Sequence, residues 1–205
     1  MNVTVNISMS DSMSNPPASL ASRHADLTQK VILEAALDEL AAAPSEPLTV
    51  RGVARRAGIS ERTVFRYYAA REDLLNGAAA EYARRMDFPP LPTDRDSLLA
   101  YPAAVYAAFE AKADLTRAAL HSELYERVRS TDAAGRLTAI QGIVDALAPA
   151  RSAADRRIAA ANIHYHVIAS TWWYYRTYFG FDLAEAARAA RTVIAQTLDG
   201  LESAK

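Results

Sequence analysis

Residues 49–75 read TVRGVARRAGISERTVFRYYAAREDLL, and the punctuation of this stretch decides the fold. Thr49 stands where a helix N-cap belongs, ahead of Val50, Val53, Ala54 and Ala57 as one apolar side. Gly58 follows at the C′ position, where a left-handed backbone is cheap only without a Cβ. Two residues later Ser60 is a second N-cap candidate, opening Glu61-Arg62-Thr63-Val64-Phe65-Arg66-Tyr67-Tyr68. Two short helices about a glycine-containing turn predict a helix-turn-helix over about 49–68. Arg71-Glu72-Asp73-Leu74-Leu75 opens another helix, continuing to about Met86, with its acids in the first turn as the macrodipole favours.

The charge of the same stretch points to a partner. Six arginines (Arg51, Arg55, Arg56, Arg62, Arg66, Arg71) face one acid, Glu61, between Thr49 and Arg71, a local balance of +5, although the whole chain carries -1. A field of that kind attracts a polyanion. A short helix fits the major groove of B-DNA, and arginine's planar fork matches guanine O6 and N7. Hydroxyls and helix N-termini suit phosphate oxygens, which set register rather than sequence. Within the stretch, Val64, Phe65 and Tyr68 are expected in the core, since the second helix must bury one face. At least one of Arg55 and Arg56 is expected to be a solvated helix charge.

Outward from this motif, the 205 residues include 44 alanines, seven glycines, nine prolines and no cysteine. Alanine loses the least side-chain entropy in a helix, so the composition predicts an all-α protein. Without cysteine there is no disulfide, thiolate metal site or cysteine nucleophile. No run approaches the roughly eighteen apolar residues of a membrane span and no signal peptide is visible, so the expected location is cytoplasmic, with no membrane partner. Residues 1–22, rich in Ser and Asn, are expected to be a disordered tail. Ile32, Leu33, Ala36, Leu37 and Leu40 predict an amphipathic helix over Thr28–Ala43, ended by Pro44 and Pro47. After Pro89, Pro90 and Pro92, further helices are expected at about 94–112, 113–129, 133–148, 153–179 and 183–203.

Thr49 to Leu75 resembles the signature of the TetR family of bacterial transcription regulators, and the resemblance extends over about residues 25–85. It implies a DNA-binding domain over 23–87 and a helical ligand-binding and dimerisation domain over 88–205. It also implies that Thr49 and Arg51 approach DNA from one helix of the motif, and Ser60, Arg62, Thr63 and Tyr67 from the next. Arg66 joins them through the basic cluster, and Arg71 stands where the family usually has a phosphate-binding lysine. Phe65 occupies a position that is commonly tyrosine, Arg62 one that is commonly small, and Ala69 one that is often proline. Sequence preference therefore cannot be copied from a relative.

The function expected is a ligand-responsive repressor, a homodimer on double-stranded palindromic operator DNA. Tyr106, Phe109, His121, Tyr125, His164 and Trp173 are candidates to line a pocket for a lipophilic or aromatic effector. Tyr165, Trp172, Ala190, Val193, Ile194 and Thr197 are candidates for the interface between two chains, which the resemblance implies is a four-helix bundle. His164 and His166 lie two apart, about 200° around a helix, so they cannot share a metal; no metal or other cofactor is expected. No carboxylate stands in a catalytic spacing with a nucleophile, and no nucleotide-binding fingerprint occurs, so no enzyme is expected. A helical enzyme using the aromatic cavity and a ligand-free architectural DNA binder are the rival readings.

Overall fold

The computed structural model describes residues 20–203, and the side chains of all of these but 21 and 130–133. The described residues form ten helices and no strand. They are α1 Leu20–Ala42, α2 Val50–Ala57, α3 Glu61–Tyr67, α4 Arg71–Met86 and α5 Arg95–Ala111, then α6 Ala113–Leu120, α7 Tyr125–Leu147, α8 Ala153–Tyr165, α9 Ala169–Thr177 and α10 Leu183–Ser203. The chain is all-α, as its composition predicts. Of the expected tail, residues 1–19 lie outside the described residues, and 20–22 belong to α1.

α1 buries Ile32, Ala36, Leu37 and Leu40, the stripe read from the sequence, against α2 and α4. Leu48 is buried and anchors the loop before α2. Thr49 caps α2, its hydroxyl accepting the Gly52 N–H at 3.0 Å. Gly58 ends that helix at φ 67°, with its own N–H on Arg55 O and the Ile59 N–H on Ala54 O. A Cβ at Gly58 would meet nothing within 4 Å, so the whole cost of Gly58→Ala is the left-handed backbone. That cost is about 1–2 kcal/mol, to be read as a lower midpoint in chemical denaturation without a change of slope.

α4 starts with the Asp73 carboxylate accepting the Ala70 N–H at 3.0 Å. Gly77 lets α4 approach α1 and the motif closely, since a Cβ there would lie 2.8 Å from the Tyr68 ring and 3.0 Å from Leu33. Near the end of α4, Glu81 is buried and accepts from Arg84 at 2.7 Å and from Arg85 at 2.8 Å. Arg85 also reaches Glu34 of α1 at 3.5 Å. Hydrogen bonds from Arg84, opposed by burial and helped by Arg85, hold the Glu81 carboxyl at about 2. A carboxylate depressed in the folded state stabilises fully above its unfolded pKa and loses that contribution as pH falls toward the folded one. Thermal stability should therefore drop between about pH 4.5 and 2, and Glu81→Gln should flatten that part of the profile.

The larger part of the chain packs α5 along α10 and α7 along α8, with α9 joined to α5, α6 and α10. Its core is continuous with that of the first four helices, running from Leu74 and Met86 to Phe109, Leu124, Trp172 and Ile194. Two helix boundaries differ from the sequence expectation. The break expected near 129–133 falls instead at 121–124, and α7 runs on without interruption. His121 closes α6 on Arg117 O, Ser122 Oγ accepts the Leu124 N–H at 3.3 Å, and Glu123 turns out to bond α4 and the loop before α2. Side-chain bonds rather than glycine or proline make this corner. The single helix expected over 153–179 is two, because Tyr106 Oη donates to His166 O at 2.8 Å and the Thr171 hydroxyl donates to Tyr165 O. Those donors satisfy carbonyls that the interrupted ladder releases, while Val167 is fully buried between the halves.

Candidate nucleic-acid interface and cavity

The seven residues of α3 divide cleanly by spacing. Val64 and the following Tyr68 point into the core at 0% and 6% exposure. Arg62, Phe65 and Arg66, at i, i+3 and i+4, share the opposite face and are all exposed. Phe65, expected in the core, is thus corrected to the open face, 48% exposed, because the helix is too short to bury both sides. Ser60 caps α3 by accepting the Thr63 N–H at 3.1 Å, and the two hydroxyls lie 2.9 Å apart. Tyr67 is half-buried, with the Arg66 guanidinium 5.2 Å from its ring centre.

The six arginines have different fates. Arg55 and Arg56 both reach Glu39 of α1, at 3.2 and 2.7 Å, and tie α2 to α1. Arg71 is engaged within the protein. Its Nε donates to Leu48 O at 2.7 Å, Nη1 lies 3.4 Å from Glu72, and Nη2 meets both oxygens of Glu123. Glu123 also accepts the Leu48 N–H at 2.6 Å, so the α6–α7 corner grips the segment leading into α2. Arg127 of α7 bonds Asn76 at 3.1 Å and Glu72 beside it. Arg51, Arg62 and Arg66 are exposed and form no ion pair with any described residue. With Thr49, Ser60 and Thr63 they make a cationic, hydroxyl-edged face of the size a major groove admits.

A second feature lies among α4 to α9, a cavity of about 490 Å³. Of the candidate pocket residues, Phe109, Tyr125 and His164 line it. Tyr106, His121 and Trp173 do not. Tyr106 is spent on the α8–α9 break, and burial pushes its hydroxyl far above the ordinary range. His121 is exposed and packs edge-on against Trp173, 5.7 Å between centres, away from the cavity. The sequence reading missed Tyr82, Phe88, Thr116, Val128, Leu137 and Ser170. Phe88 follows α4 in the proline-rich joint, where no helical spacing could show its direction.

Among the interface candidates, Trp172, Ala190 and Ile194 are corrected to core, since each is 2% exposed or less within one chain. Trp172 packs on Phe109 and donates Nε1–H to Glu110 at 3.1 Å. Val193 and Thr197 are half-buried, and Tyr165 is exposed at the cavity's edge. The exposed apolar side chains of this region are Ile158 and Tyr165 on α8, and Tyr174, Tyr178 and Phe179 around the end of α9. Among the described residues no group of three or more His, Asp or Glu is placed to hold a metal. No described helix is long and apolar enough to cross a membrane.

Residues 32–78 match the TetR N-terminal family, described as bacterial regulatory proteins of the tetR family. Among solved structures, that of a TetR-like transcriptional regulator from Rhodococcus sp. RHA1 superposes with a TM-score of 0.59 at 16% identity, covering 91% of this chain and 100% of that one. At that identity the likeness is one of fold. Comparison with curated protein sequences gave no match.

Proposed function

We propose, on the premise that this is a DNA-binding transcription regulator of the TetR family, that it represses as a homodimer and releases its operator when a small molecule fills the cavity. The observation that carries the reading is the open face of α3, where Arg62 and Arg66 stand beside the capped hydroxyls of Ser60 and Thr63. Arg62 reads a base edge, while Thr49, Tyr67 and the hydroxyls hold phosphates. Residues 20–87 act as the DNA-binding unit and 88–203 as the sensing and pairing unit.

Arg71 has a different role from the one the resemblance implies. In this conformation its charge is taken by Glu123, so it links the two units instead of waiting for a phosphate. The corner bearing Glu123 lies between Leu120 and Tyr125, both in the cavity wall. A ligand pressing on that corner acts on Leu48 and on the start of α4, and thereby on the separation of two recognition helices. Release requires the ligand to prefer the conformation that binds DNA poorly. In vitro transcription from a promoter carrying a selected operator tests the repressor reading: transcript should fall as protein is added, and a rise or no change contradicts it.

Two chains pair through α8 and α10, with Ile158 and Tyr165 in the contact. Light scattering at micromolar concentration should give the mass of a dimer, and Ile158→Glu should give a monomer with an unchanged circular dichroism spectrum.

A further inference from the structure

The charge around the cavity narrows what it holds, if the ligand-responsive reading is right. Its wall is largely apolar, with Phe88, Phe109, Leu120, Val128, Leu137 and Ile168, and no Asp or Glu lines it. Behind that wall stands Arg136 of α7, 6% exposed. Its guanidinium lies 5.7 Å from the Phe88 ring centre, and its Nε donates to Tyr101 Oη at 3.3 Å. Among the described residues no carboxylate pairs with it. A buried cation is costly without an anion, and a phenol oxygen and a ring face supply only part of the compensation.

In the wall itself, His164 Nε2 is sealed from solvent and has no hydrogen-bond partner. Burial first, then the charges of Arg136 and Arg129, hold this imidazole below its usual range, so it is neutral at neutral pH. Unpaired buried polar atoms are exceptions in folded proteins, and here the open direction is the cavity. Arg129, also in the wall, has a 62% exposed side chain that only just reaches Glu126 at 4.0 Å. An apolar chamber thus carries cations on one side, an imidazole nitrogen in want of a partner, and no acid.

We propose that the cavity binds an apolar monocarboxylate, its hydrocarbon body between Phe88 and Phe109 and its carboxylate toward His164 and the Arg129–Arg136 side. A carboxylate there takes a hydrogen bond from His164 and supplies the counter-charge Arg136 lacks.

Calorimetric titration of the full-length protein with decanoate, decan-1-ol and decyltrimethylammonium compares one tail with three heads. Decanoate should bind at least about tenfold more tightly than decan-1-ol, the size of one charge-assisted contact, and the ammonium should not bind. Arg136→Gln should bring decanoate to within about twofold of decan-1-ol, whose own unchanged affinity reports an intact cavity. Should that variant not fold, His164→Asn, at a site nearer the mouth, should still weaken decanoate several-fold and leave decan-1-ol alone. Equal affinity for decanoate and decan-1-ol, preference for the ammonium, or binding of none of the three overturns the proposal. Decanoate that binds with the stated preference yet leaves operator affinity unchanged supports the carboxylate site and overturns the ligand-responsive reading instead.

Discussion

Arg62→Ala should weaken binding to the preferred operator by about 1–3 kcal/mol per half-site and relax the preference at one base pair in each. The effect is large because Arg62 is exposed and has no ion-pair partner among the described residues, so its donors reach DNA without first breaking a bond inside the protein. Two half-sites add roughly independently, so a symmetric operator loses up to about twice that amount. Binding curves on the selected operator and on single-base variants check it. Unchanged base preference would remove Arg62 from the reading face.

Trp172→Ala should lower unfolding stability by about 3–5 kcal/mol, the range for truncating a buried aromatic side chain. Trp172 is 2% exposed, touches Phe109 and Trp173, and donates to Glu110, which also holds Arg176 at 2.9 Å. The substitution leaves a void and takes one donor from a carboxylate that ties α5 to α9. A residue in the core of one chain lowers the melting temperature at every protein concentration. A residue at the contact between chains would instead make melting more dependent on concentration. Thermal melts over a hundredfold concentration range, about two decades, separate the two.

The DNA-facing end of the molecule was legible because its signals are local. Gly58 must carry a positive φ, Ser60 must cap, and the spacing of Val64 and Tyr68 assigns a buried face. Phe65 was misread because aromatic character suggested burial, whereas its i+3 position after Arg62 puts it on the open face. That face now pairs an exposed ring with two cations, and a thymine methyl is the base feature such a ring can touch.

The larger half was less legible because its decisive features are long-range. Nothing near residues 121–124 breaks a helix by itself; Glu123 does so by bonding Leu48 and Arg71, 75 and 52 residues away in the chain. The interruption before α9 depends on Tyr106, 60 residues earlier. Trp172, Trp173, Tyr174 and Tyr175 follow one another around a helix, so spacing could not say which is core. The packing of α5 and α10 decides it for Trp172. Tyr106 and Phe109 are one turn apart, yet only Phe109 meets the cavity.

The central claim is that α2 and α3 read a DNA sequence in duplicate. Selection of bound duplexes from random DNA by the full-length protein tests it most directly. The account predicts enrichment of an inverted repeat whose half-sites are centred about 34–36 Å apart, or a multiple of that spacing, with Arg62→Ala losing enrichment at one position in each half. A recovered pool with the base composition of the input would contradict it.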